Sequence, residues 1–212
     1  MVFIIGLTGG IGSGKTTVER SFSRYHIPLI DADRLAREVI DTDPVILNKI
    51  LSYFGEKILT PTRELNRLAL RQHIFDSASD RQWLEDLLHP LITLNITKKI
   101  NELKDHPYCL VSVPLLFETG PYFFIHHILV VDAPIAQQIK RTMTRDNIHA
   151  QLVQDIMHRQ CSRFERLIQA DTVIYNDFNL ATLDKQVDDL HRFFMEKARV
   201  FNKSCEAVHR IA

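Results

Sequence analysis

At 212 residues and 45% apolar side chains, the chain is long enough to bury a substantial core as one domain, with room for insertions. Lys plus Arg and Asp plus Glu balance at 26 each, so no net field draws nucleic acid or an anionic membrane, and neither is expected as a partner. Three widely spaced cysteines (Cys109, Cys161, Cys205), no apolar run of membrane-spanning length and no basic leader ahead of the first strand together predict a soluble cytoplasmic protein with free thiols.

Taken in order, Val2 to Ile5 and Leu7 form an apolar run that predicts a buried parallel strand. It turns directly into Gly9-Gly10-Ile11-Gly12-Ser13-Gly14-Lys15-Thr16, which fits G-x-x-x-x-G-K-[ST] at every fixed position. Val18 and Phe22, four apart beyond Thr17, predict a helix packed on a sheet, so strand, loop and helix follow in the order the motif needs. Glycines let successive amides turn inward and form a cradle of positive partial charge closed by a helix N-terminus. Lys15 would then reach the β- and γ-phosphates of a nucleotide, and the Thr16 hydroxyl would take one position on Mg²⁺. Five of the seven glycines (Gly6, Gly9, Gly10, Gly12, Gly14) fall in this stretch, which counts against a turn that binds nothing.

After a first helix over about 14–25, Ile27 to Ile30 predicts a short second strand ending in Asp31-Ala32-Asp33. Ligands of open α/β sheets collect at the C-terminal ends of strands, so these carboxylates are expected near the loop, one as a base or a water-mediated Mg²⁺ contact. Capping of the following helix, Arg34 to Ile40, is the structural alternative. From Thr42 to His106 the pattern turns helical. Pro44 stands in a first turn, Gly55 is a stop, and a third stripe from Trp83 to Ile92 is interrupted by His89-Pro90. This stretch is too long for one crossover and predicts a helical insertion. Arg63, Arg67 and Arg71 at i, i+4, i+8 would share a face, either for an anionic substrate or as a solvated surface beside Glu64.

The sheet returns at Tyr108 to Val113, leading into Pro114-Leu115-Leu116-Phe117-Glu118, and again at Ile128 to Val131 before Asp132. Asp132 reads either as a Walker B aspartate or as the N-cap of the helix announced by Pro134. Residues 138–168 are helical and basic, with Lys140, Arg141, Arg145, Arg159, Arg163 and Arg166: a mobile lid over a triphosphate, or an ordinary charged surface. Thr172 to Tyr175 is a fifth strand meeting Asn176, and Leu183, Val187, Leu190 and Phe194 mark a last helix from Leu180 to about Val200. The residues after Phe201 carry no readable pattern.

The fold class expected is α/β: a doubly wound, parallel, five-stranded P-loop core (1–30, 107–135 and 169–212) with a helical acceptor-binding insertion (31–106) and a helical lid (136–168). That is the architecture of small-molecule and nucleotide kinases. No Asp-x-x-Gly switch or Asn-Lys-x-Asp base reader is present, which excludes a GTPase, and the zero net charge argues against a nucleic-acid motor.

Nearly the whole chain resembles the dephospho-coenzyme A kinase family. The resemblance rests on Gly6 to Thr17, Asp31-Ala32-Asp33 with Ala36-Arg37, and Arg67-x-x-Leu70 leading to Phe75. It continues through His89-Pro90, Val113-Pro-Leu-Leu-Phe-Glu118, Gln138-x-x-Arg141-x-x-x-Arg145, Gln160, and Ala170-Asp171 to Asn176. One position departs: many members place an acidic residue two before the proline of Pro-Leu-Leu, where this chain has Ser112, which leaves the second protein contact to Mg²⁺ open.

The resemblance implies ATP-dependent phosphorylation of the ribose 3′-hydroxyl of dephospho-coenzyme A, the final step of coenzyme A biosynthesis, with ATP and Mg²⁺ required. It implies Gly10 to Thr17 on the nucleotide, Lys15 on the migrating charge, and Arg141 and Arg145 on the γ-phosphoryl oxygens. Asn176 would touch adenine. Asp33 would be the base with Asp31 the weaker candidate, His89, Leu115 and Glu118 would contact the acceptor, and Thr16 would ligate the metal. Two rivals stand beside this: a kinase for another small alcohol or nucleoside, and a nucleotide-dependent switch that reads out a conformation.

Overall fold

The computed structural model describes residues 1–120, 122–177 and 179–209. Its centre is strand β1, Phe3–Gly9, which is buried along its whole length, as an apolar run flanked by parallel neighbours requires. Around it lie β2 (Leu29–Asp31), β3 (Tyr108–Ser112), β4 (His127–Asp132) and β5 (Thr172–Tyr175) in the order β2-β3-β1-β4-β5, every pairing parallel. The register sets Leu7 and Asp31 on either side of Ser112, Gly9 beside Val131, and Asp132 beside Tyr175. All five strands therefore deliver their C-terminal residues to one edge of the sheet. The second strand is shorter than the sequence predicts, because Pro28 contributes only its carbonyl to the ladder, accepting from Leu110 N at 2.9 Å.

The chain divides into two compact units, Met1–Asp31 with Thr97–Ala212, and Ala32–Ile96. In the first, helix α1 (Lys15–Ser23) buries Val18 and Phe22, the four-residue spacing read from the sequence. These join Phe3, Ile5, Leu7, Leu110, Leu129 and Ile174 from the strands in one core. Leu183, Val187, Phe194 and Ala198 complete it from the last helix.

The second unit is helical: α2 (Ala32–Thr42), α3 (Pro44–Phe54), a 3₁₀ turn (Glu56–Ile58), α4 (Arg67–Asp76) and the start of α5 (Ala78–Asn101). Asp43 caps α3, its Oδ1 accepting from Val45 N at 2.9 Å, with Pro44 in the first turn, and Asn66 caps α4 through Ala69 N at 3.0 Å. The interruption expected at His89-Pro90 does not occur. Helix α5 runs through Pro90, which is exposed, as is Asp86, the residue whose carbonyl loses its helical donor. Nor do Arg63, Arg67 and Arg71 share a helical face. Arg63 sits at φ 64° in the turn before α4, paired with Glu56 at 3.5 Å, and Arg67 pairs with Asp41 at 2.5 Å.

Between β4 and β5 the basic stretch folds as three helices, α6 (Ile135–Asp146), α7 (Ala150–Arg159) and α8 (Arg163–Ile168). Asn147, in the left-handed region at φ 53°, ends α6. The last helix, α9 (Leu180–His209), continues past the expected end near Val200: Phe201 packs on Phe3 and His126, and the N-terminal ammonium donates to Asn202 Oδ1 at 3.1 Å. Tertiary contacts of these few residues extend the helix where amphipathic periodicity has faded. Among the described residues no helix is long and apolar enough to cross a membrane.

Candidate active site

The turn from β1 into α1 carries the glycine motif. Gly12 and Gly14 hold φ values of 70° and 93°, where a side chain is strained, and a side chain at either would also run into Gln138 or Asn176, so these glycines are dictated by backbone conformation and close packing. The turn is closed by Ser13 N donating to Gly10 O at 3.1 Å and Thr17 N to Gly14 O at 2.9 Å. Lys15 and Thr16 open α1, which has no acidic residue in its first turn, so the positive end of the helix faces the loop uncompensated.

The outer face of this loop is packed by polar side chains from distant parts of the chain. Asn176, just after β5, is buried. It donates through Nδ2 to Ser13 O at 2.8 Å and through its backbone N–H to Asp132 O at 2.8 Å. Arg141 of α6 donates through Nη1 to Asn176 O at 3.1 Å and more weakly to Ser13 O at 3.4 Å. Gln138, one turn earlier, is buried and donates to Ala133 O at 2.7 Å, and Thr142 Oγ1 returns a bond to Gln138 O at 2.8 Å. From the segment before α8, Gln160 Oε1 accepts the Ile11 backbone N–H at 3.0 Å. Glu118 Oε1 accepts the neighbouring Cys161 N–H at 2.7 Å.

Asp132 does not cap α6. The N-cap of α6 is Pro134 with no side-chain bond. The Asp132 carboxylate, 5% exposed, instead takes a two-pronged pair from Arg163, Nε to Oδ1 at 2.9 Å and Nη2 to Oδ2 at 2.6 Å. These hydrogen bonds raise the Arg163 pKa above its ordinary value. Burial likewise pushes the Cys161 thiol up, with Arg166 acting in the opposite direction.

The structure brings Gly10 to Thr17, Arg141 and Asn176 together at the loop. Leu115 and Glu118 follow β3, where Leu115 O closes a turn with Thr119 N at 2.9 Å. Asp31 ends β2 beside Ser112, whose hydroxyl donates to Glu19 Oε1 at 2.6 Å. Arg145, also on α6, lies against Asp146, with bonds of 2.7 Å from Nε and Nη2. Along α6, a cleft of about 500 Å³ is lined by Gln137, Lys140, Arg141, Thr144 and Arg145. Asp33 and His89 belong to the second unit, Asp33 exposed in the first turn of α2 and His89 within α5. Among the described residues no cluster of three or more His, Cys, Asp or Glu side chains could hold a metal by itself. Sequence reasoning named Gln160 without a role and missed the Asp132–Arg163 pair. The only signal was an acid at a strand end and an arginine 31 residues later.

Comparison with known proteins agrees with this geometry. A family model for dephospho-CoA kinase matches residues 3–182. The dephospho-CoA kinase of Shewanella oneidensis is 44% identical over 194 residues, covering 92% of this chain and 94% of that one. The corresponding protein of Coxiella burnetii is 45% identical over 196 residues, covering 92% and 98%. The solved dephospho-CoA kinase of Campylobacter jejuni superposes with a TM-score of 0.70 at 25% identity, covering 93% of this chain and 99% of its own. With a family match spanning most of its length and a P-loop seated at the edge of a five-stranded parallel sheet, the chain belongs to the dephospho-CoA kinase family.

Proposed function

We propose that this chain transfers the γ-phosphoryl group of ATP to the ribose 3′-hydroxyl of dephospho-coenzyme A, releasing ADP and coenzyme A as the final step of coenzyme A biosynthesis. The observation that carries the reading is the phosphate loop, braced by hydrogen bonds from Gln160, Asn176 and Arg141, in a chain of this family. Phosphoryl transfer leaves a protein little covalent work, so catalysis is positioning and charge stabilisation, and a braced loop provides both.

In this reading the amides of Gly12 to Thr16 hold the phosphates and Lys15 follows the migrating charge. Arg141 donates to Ser13 and Asn176 through Nη1 while its remaining N–H groups meet phosphate oxygen, and Arg145, one turn further along α6, joins it on the γ-phosphoryl oxygens. Asn176 already spends its amide on Ser13, so any adenine contact would come through Oδ1. Asp33 accepts the 3′-hydroxyl proton, with Asp31 as the alternative. The helical unit holds the rest of the acceptor through groups that include His89, and Leu115 and Glu118 reach it from the loop after β3. The exposed Thr16 hydroxyl in the first turn of α1 fits Mg²⁺, which is held by few protein oxygens and completed by phosphate and water. When bound, that ion neutralises charge on the β- and γ-phosphates.

The deciding experiment is ADP release from ATP with a panel of acceptors. Turnover with dephospho-coenzyme A alone is expected. Turnover with another alcohol or nucleoside would reassign the acceptor, and nucleotide binding without acceptor-dependent turnover would make the protein a switch.

A further inference from the structure

Arg166 is only 7% exposed, yet among the described residues no carboxylate lies within ion-pairing distance of it and its side chain donates no hydrogen bond. This contrasts with Arg163, three residues earlier on α8, which is locked to Asp132. A buried cation without an answering charge is unfavourable unless a ligand supplies one. Its position says which ligand. A methyl group on Gly10 would lie 3.0 Å from Arg166 Nη2 and 2.8 Å from Gln138 Oε1, so the guanidinium lies against the second residue of the phosphate loop. Gln138 Oε1 is itself buried without a hydrogen-bond partner among the described residues.

The element that carries Arg166 is pinned. Gln160 takes the Ile11 amide, Glu118 takes the Cys161 amide, and Ser162 and Glu165 form a reciprocal cap at the start of α8. Arg163 anchors the same helix to β4. A cation held this firmly needs no reorganisation when an anion arrives.

We propose that Arg166 is a phosphate-binding residue of this site, answering the charge of the nucleotide's phosphates from the Gly10–Ile11 side of the loop, while Lys15 answers it from α1. This rests on the reading of the loop as an ATP site. Unlike arginines carried in by a closing lid, Arg166 is already in place before nucleotide binds.

The test compares wild type, R166M and R166K by titration with tripolyphosphate in metal-free buffer and by thermal unfolding of the ligand-free proteins. R166M is expected to weaken tripolyphosphate binding about 10- to 100-fold, the range of a charge-assisted hydrogen bond. Its ligand-free form is expected to unfold at or above the wild-type temperature, because an unanswered buried charge is gone. R166K, which keeps the charge and loses the planar fork, should bind with intermediate affinity. Wild-type affinity in R166M, or a ligand-free R166M that unfolds well below wild type or fails to fold, would make Arg166 a structural residue and overturn the assignment. A wild-type protein that binds no tripolyphosphate would bring down the nucleotide reading, and this assignment with it.

Discussion

The two units of the chain are built on different interiors. The phosphate unit buries Thr8, Ser13, Ser112, Asp132, Gln138, Arg166 and Asn176 among its apolar residues. Between Ala32 and Ile96, every fully buried side chain described is apolar, with Ile46, Ile50, Phe54, Ile58, Leu84 and Leu88 at the centre. Directional bonds have one good geometry, and aliphatic packing has many that differ little in energy. The difference matches the two tasks proposed: holding three phosphates at fixed positions, and enclosing a long, flexible acceptor.

The largest effect would come from the insertion's contribution to chemistry. Asp33→Asn should lower kcat by ~10²–10⁴-fold, as loss of a general base does. Because the residue is exposed, stability to urea should stay within about 0.5 kcal/mol of wild type. A near-normal rate of ADP release would reduce the second unit to a binding surface and turn attention to Asp31.

Ile50→Ala probes the aliphatic interior directly. Ile50 is fully buried, and its truncation should cost about 2–5 kcal/mol by urea titration. ATP affinity should be retained. A loss of ATP affinity in the folded variant would show that the two interiors are not independent.

On the polar side, Asn176→Ala leaves Ser13 O without its 2.8 Å donor. A stability loss of about 1–3 kcal/mol is expected, accompanied by weaker ATP binding, because the loop itself is loosened. Unchanged ATP affinity would mean that the brace serves folding alone.

The smallest effect concerns pH. Burial lowers the His127 pKa, with Asp171 opposing and Lys197 adding to the shift. The unfolded chain then takes up the proton more readily than the folded one. Stability from this group is complete above the ordinary value of 6.5 and is lost as pH falls below it. No titratable side chain is fully buried in the helical unit among the described residues. Hydrogen exchange at pH 5.5 against 7.5 should therefore lose protection around β4 before it does in α3. The reverse order would contradict the contrast between the two interiors.

Much of the sheet and the loop was legible, because buried parallel strands are written as short apolar runs and the glycines at 9, 12 and 14 sit where only glycine fits. The boundaries that slipped did so for local reasons. Pro90 is accommodated within α5 at an exposed position, and α9 outlasts its periodicity because Phe201 finds Phe3. The braces were not legible. Ile11 and Gln160 are 149 residues apart, Ser13 and Asn176 are 163, and no periodicity relates a side chain to a carbonyl at that distance. Asp132 shows the limit most plainly, since its type and position suited a cap or a metal and its partner turned out to be an arginine.

The placement of β1 has a consequence for how the molecule is made. The strand synthesised first occupies the middle of the sheet, and its partners are Tyr108–Ser112 on one side and residues from His127 on the other. On a ribosome it must therefore wait, an apolar segment with no neighbour, while the helical unit emerges and satisfies its own short-range contacts. The sheet then closes from the centre outward once β3 and β4 arrive. Such long loops make closure slow, so refolding should show a fast helical phase followed by a slower one reported by amides of β1. In that interval the Val2 to Leu7 segment is the part of the chain most in need of a chaperone.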